Sequence, residues 1–184
     1  TIYRVLRKAR QMAPRGHARP PQPRRRPTEH VATRANQVWS WDITYLQSPV
    51  RGMYYFLHLM LDVWSRKIVG WAVHETESSE QAALLITRAS AAEGVNPRGR
   101  VLHADNGGAM KGATMLATLQ RLGIVPSFSR PSVSNDNPYS ESAFRTVKYR
   151  PEFPRGGCFT SLEDARSWVA AFVAWYNFEH RHSA

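Results

Sequence analysis

Asn36 to Leu46 reads NQVWSWDITYL, and this stretch decides how the rest of the chain is understood. From Val38 onward, Trp39, Trp41, Ile43 and Tyr45 point one way, while Ser40, Asp42 and Thr44 point the other. Period two with β-forming residues predicts a strand. Asp42 falls in its middle, between Trp41 and Ile43. An uncompensated carboxylate in a half-buried strand is costly. Asp42 is therefore either a hydrogen-bonded structural residue on the strand's polar face or a group placed there for chemistry.

Moving outward, SPVRG (48–52) forms a turn into MYYFLHLML (53–61), an almost continuous apolar run typical of a strand covered on both faces. Ser65-Arg66 turns into KIVGWAVH (67–74), a third strand. Short turns between the three predict an antiparallel meander. The grammar then changes. Ser78 with Gln81 makes a capping box for the alanine-rich helix QAALLITRASAAE, which ends at Gly94. VLHAD (101–105) is a short strand, GATMLATLQRLG (112–123) a helix, VPSFS (125–129) a strand, and Pro138 opens another helix. Thr160 and Glu163 suggest a second capping box ahead of a long amphipathic helix reaching about Tyr176. Three strands followed by α, β, α, β, α, α predict an α/β fold, a mixed sheet flanked by helices.

On the N-terminal side, residues 1–13 place Ile2, Val5 and Leu6 at helical spacing and read as the end of a helix. Residues 14–35 form a basic linker rich in proline and arginine, too polar to bury a core. The folded domain is expected over 36–184. Net charge is +11, of which residues 1–35 carry +9 through ten Lys/Arg against the single acid Glu29. The excess is thus an N-terminal arm rather than a basic body. Its densest part, Arg24, Arg25 and Arg26, supplies candidate phosphate contacts, with a merely solvated tail as the alternative.

With 42% hydrophobic and 11% aromatic residues the chain can build a core. It has no apolar run of the roughly 18 residues a membrane helix needs. No secretory signal pattern is present. One cysteine, Cys158, excludes an internal disulfide and a cysteine-based zinc site. A reducing cytoplasm is the expected setting.

Two further acids join Asp42. Asp105 ends the strand VLHAD ahead of Asn106-Gly107-Gly108, at the kind of strand end where α/β ligand sites form; an Asx turn is the plainer reading. Glu141 lies in the first turn of the helix opened by Pro138, where an acid also suits the helix dipole. Brought together, the three would be hard oxygen ligands for magnesium, and paired ions of that kind serve phosphoryl transfer. Asp62 reads as structural: with the hairpin turn centred on residue 49, Asp42 pairs near Phe56 and Asp62 lies ~20 Å further along. Asp136 reads as a loop or cap residue, and the remaining acids as helix or turn residues. Lys148 follows Glu141 by seven residues, ~10.5 Å along the same helix face, within reach of a phosphate. Arg145 reads as an ion-pair partner of Glu141, a solvated charge or a further DNA contact. His103 shares the strand face of Asp105, either orienting the site or satisfied in the core.

NQVWSWDITYL, LDVWSRKIVGW, VLHADNG and SNDNPYSESAFRTVKYR, in this order, resemble the catalytic core of bacterial insertion-sequence transposases. That family shares the retroviral integrase-like, RNase H-like fold and a D,D,35,E triad. Here 35 residues separate Asp105 from Glu141, and 62 separate Asp42 from Asp105. The likeness covers 36–184. It implies a five-stranded sheet, three strands antiparallel and then parallel ones. It also implies Mg2+ or Mn2+, two ions, held by Asp42, Asp105 and Glu141, with Lys148 contacting DNA. The implied reaction is cleavage at element terminal repeats and attack of a 3′-hydroxyl on target DNA by an oligomer assembled on DNA. Among two-frame elements, TIYRVLRKARQ resembles the end of a helix-turn-helix segment. WYNFEHRHSA resembles the family's terminal helix, beyond which the family continues, so a chain trimmed at its C-terminal end is expected. The alternatives are an inactive DNA-binding remnant and an RNase H-type nuclease.

Overall fold

The structure, a computed structural model, describes residues 2–9, 11, 30–130 and 137–182. Arg24, Arg25, Arg26, Asp136 and most of the linker lie outside the described residues. A short helix, α1 (Ile2–Lys8), precedes the sheet domain. There follow β1 (Val38–Gln47), β2 (Tyr54–Asp62), β3 (Ile68–His74), α2 (Ser79–Ala92), β4 (Val101–Ala104), α3 (Gly108–Lys111), α4 (Ala113–Leu122), β5 (Val125–Phe128), α5 (Pro138–Tyr149) and α6 (Leu162–Phe178).

The five strands lie in the order β3-β2-β1-β4-β5. The first three pair antiparallel, whereas β4 runs parallel to β1 and β5 parallel to β4. β1 is the centre of the sheet. Trp39, Trp41, Met60 and Val69 pack under α2 and α4, against Leu85, Ile86, Met115 and Leu119. On the other face, Leu46, Leu57, Leu59 and Leu61 meet Phe144 and Val147 of α5 and Val169 and Phe172 of α6. The expectation of a half-buried β1 is thereby corrected. Helices cover both faces over most of its length, and Ser40 and Thr44 are buried.

The expected register also changes. The β1–β2 turn closes between Val50 and Met53, with Gly52 at φ +86°, the left-handed region glycine enters freely. The hairpin axis consequently lies between Val50 and Arg51. Asp42 pairs with Leu59 rather than near Phe56, and Asp62 faces Trp39, three positions on instead of six. Asp62 is nonetheless structural. Its carboxylate accepts from the Asn36 N–H (2.8 Å), the Ser65 N–H (2.8 Å) and the Ser65 hydroxyl (2.6 Å), fixing the turn into β3.

Ser78 caps α2 by accepting from the Gln81 N–H, and Gly123 ends α4 in the left-handed region. The cap of α6 is displaced by one residue from Thr160. Ser161 accepts from the Asp164 N–H, while the Asp164 carboxylate takes the Thr160 N–H and hydroxyl. Aspartate three residues into the helix reaches back as readily as the glutamate of the usual box.

Candidate active site

β1 and β4 run parallel, and their last pair is Trp41 with Ala104. Asp42 and Asp105 each follow directly on this last pair, and the charge of Asp105 reaches the Asp42 carboxyl. Asp42 lies on the same face as Ser40, the face that α5 covers. The first turn of α5 carries Glu141. The fold therefore brings all three sequence-predicted acids to one corner, through a central strand, an adjacent strand end and a helix start.

Their environments differ. Asp42 is part-buried, with Oδ1 accepting from the Ile43 N–H at 2.8 Å. Burial lifts its carboxyl from an ordinary 3.8 to about 6; the Ile43 bond pulls down, and the charges of Asp105 and Glu141 push up. Asp105 is exposed, and its Oδ1 accepts from the Gly107 N–H at 2.8 Å, so the Asx turn is present. A Cβ on Gly107 would come 2.9 Å from that oxygen, leaving no room for a side chain beside the carboxylate. Glu141 is exposed, with its N–H donating to the Asn137 carbonyl oxygen at 3.3 Å.

The donor chemistry fits a divalent cation. Three hard carboxylates repel one another, and no lysine or arginine forms an ion pair with them among the described residues. As they stand, no three histidine, cysteine or acidic side chains among the described residues lie at ligand spacing. The acids share an electrostatic field without sharing a ligand sphere.

A fourth acid enters that field. Glu77, just before the α2 cap, is raised above its ordinary value by desolvation and by the charge of Asp105. Sequence reading grouped it with the turn acids, because nothing in its spacing shows that the start of α2 faces the end of β4. Lys148 and Arg145 are exposed on α5. Arg145 forms no ion pair with Glu141 among the described residues; its guanidinium stands 5.8 Å from the Tyr149 ring. His103 turns to β5, with Nδ1 3.0 Å from the Ser127 hydroxyl and Nε2 3.3 Å from that of Ser129. Those bonds favour the structural reading of His103.

A model of the integrase core domain matches residues 32–134, and a second integrase core domain model matches 122–184. The transposase InsF for insertion sequence IS3A of Escherichia coli (strain K12) is 31% identical over 156 residues, 84% of this chain and 52% of that protein. The chain thus spans about half the length of the curated relatives it matches. Among solved structures, the catalytic core domain of BIV integrase superposes with a TM-score of 0.59 at 19% identity, covering 80% of this chain and 88% of that one. The HTLV-2 integrase catalytic core domain in complex with magnesium gives 0.54 at 16% identity, covering 81% and 91%. These likenesses establish the fold as RNase H-like. With one family model covering more than half its length, the chain belongs to the integrase core domain family, and its sequence is similar to that of insertion-sequence transposases.

Proposed function

We propose that this chain is the strand-transfer core of a DNA transposase, with Asp42, Asp105 and Glu141 as its catalytic acids. The observation that carries the proposal is the convergence of these acids at one corner, where burial first, and then the charges of Asp105 and Glu141, hold the Asp42 carboxyl near 6. Such a corner stores unfavourable charge that a divalent cation relieves.

In this reading the three carboxylates hold Mg2+ or Mn2+, two ions in all. Bound there, the ions neutralise charge on the phosphate and activate the attacking oxygen. The protein's own groups supply position. β1 fixes Asp42 through its ladder and the Ile43 bond, the Gly107 N–H orients Asp105, and α5 carries Glu141. A 3′-hydroxyl of the element end forms a bond to a target phosphorus. The bond from that phosphorus to the target's own 3′-oxygen breaks, and the proton lost by the first oxygen is regained by the second through solvent. Lys148 and Arg145, exposed on α5, contact backbone phosphates of terminal-repeat or target DNA. Arg24, Arg25 and Arg26 in the 14–35 linker add affinity independent of sequence. The segment 1–13 ends a helix-turn-helix module, and the working form is a homo-oligomer on DNA.

The test supplies labelled element-end duplex, with and without a free 3′-hydroxyl, together with unlabelled target and Mg2+. Joined products that require the hydroxyl support strand transfer. Hydrolysed ends without joining would replace it with an RNase H-type nuclease. Binding without chemistry in Mg2+ or Mn2+ would make the chain an inactive DNA-binding remnant.

A further inference from the structure

A buried polar cluster ties α5 to β1 immediately behind the acids. Asn137 is 5% exposed, and its Nδ2 donates to the carbonyl oxygen of Trp41 at 3.2 Å. Trp41 is the residue before Asp42 and the last β1 member of the β1–β4 ladder. The Asn137 Oδ1 accepts from the Ser40 hydroxyl, and the Ser40 oxygen lies 2.6 Å from that of Ser140. Ser40 and Ser140 are 1% and 2% exposed. Three neutral polar side chains thus sit buried between β1 and α5, beside the apolar cluster that includes Ala143, Phe144 and Val147.

Asparagine is among the preferred residues at a helix N-cap because its side chain accepts from the first free N–H groups. Asn137 holds the N-cap position of α5, yet its side chain makes no such bond. The amide faces across to β1 instead, using donor and acceptor together. Local helix chemistry has been given up for a tertiary contact. Apolar residues could fill this space, but apolar contacts are non-directional, whereas short hydrogen-bonding side chains fix two elements in direction as well as distance. The Asn137 carbonyl then accepts from the Glu141 N–H. Asp42 and Glu141 are therefore linked through one side chain and one turn of helix.

We propose that Asn137, with Ser40 and Ser140, is a positioning set that fixes Glu141 of α5 relative to Asp42 of β1 and so determines how tightly the acidic corner takes a divalent cation. This rests on the reading of Asp42, Asp105 and Glu141 as ligands. The set touches neither cation nor DNA; it acts through the acids.

Mn2+ affinity of the full chain without DNA, read by electron paramagnetic resonance of free Mn2+, tests the proposal. Each variant is measured well below its own unfolding midpoint, so that a merely structural loss leaves the reading unmoved. Asn137→Ala is expected to weaken Mn2+ binding by about 10-fold or more, the usual effect of removing a group that orients a ligand. Ser140→Ala, which leaves both Asn137 bonds in place, should fall between Asn137→Ala and wild type; it carries the test if Asn137→Ala does not fold. Asp42→Asn is the control. If Asp42→Asn abolishes binding while Asn137→Ala or Ser140→Ala binds as wild type, the positioning role is overturned. If Asp42→Asn itself binds as wild type, the ligand reading fails instead.

Discussion

Burial and two neighbouring carboxylates hold the Asp42 carboxyl at about 6 against an ordinary 3.8. A folded-state value above the unfolded one means stability that is complete below pH 4 and lost as pH rises through 6. At ~1.4 kcal/mol per pKa unit, the ionised residue opposes folding by roughly 3 kcal/mol at neutral pH without metal. His58 runs the other way. Burial, then the charge of His74, lowers it to about 4, so its contribution is lost as pH falls below 6.5. The two overlap, and the wild-type pH profile alone does not separate them; the difference between Asp42→Asn and wild type does. In metal-free urea unfolding, Asp42→Asn is expected to match wild type near pH 4 and exceed its stability by roughly 1–3 kcal/mol at pH 8. Equal stabilities at pH 8 would show that the acid sits there without strain. These acids were legible in the sequence as candidates, through the 35-residue spacing of Asp105 and Glu141 and a motif order that resembles a known family. Glu77 and Asn137 were not. Their significance depends on where the start of α2 and the turn before α5 come to rest, and no periodicity carries that information.

The elements are anchored by polar bonds at their ends as much as by their apolar faces. Asn177, near the end of α6, accepts from the Ile68 N–H at 2.8 Å and donates to the Ile68 carbonyl at 3.0 Å, occupying the outer edge of β3 like a short extra strand. Asn177→Ala leaves both backbone groups unpaired and is expected to cost roughly 1–3 kcal/mol in urea unfolding, with DNA affinity unchanged. A cost near zero would mean that water replaces the amide. On the opposite face, a Cβ at Gly112 would stand 2.3 Å from the Ser79 Cβ, so the starts of α2 and α4 meet only because this residue lacks a side chain. Gly112→Ala should cost about 1–3 kcal/mol through overpacking, read as a lowered melting midpoint. Element type and order were legible because alternation and capping signals are strong over β1, α2 and α4. The hairpin register was missed by three residues, since the turn around Gly52 is asymmetric and apolar β2 offers no alternation against which to pin it. The four-residue helix α3, which follows the Asp105 turn, is too short to leave a periodic trace.

At the scale of the whole molecule, charge and chemistry are separated along the chain. Residues 1–35 carry +9 of a net +11, while the acids occupy the folded domain. The proposed function therefore predicts that affinity for DNA and the handling of its phosphates are separable. Deleting residues 1–35 is expected to flatten the dependence of DNA binding on salt, since fewer counterions are released. An unchanged slope would place that load on the body of the domain. No helix among the described residues is long and apolar enough to cross a membrane.

The central claim is that Asp42, Asp105 and Glu141 act as one catalytic set. It is tested most directly by joining of labelled element-end DNA to target in Mg2+, wild type beside Glu141→Gln. Glu141 is exposed, so the amide leaves the fold intact. The account predicts metal-dependent joining by wild type and a loss of at least ~100-fold in the variant, of the order seen when a group acting on the transition state is removed. Joining by Glu141→Gln at the wild-type rate would contradict it.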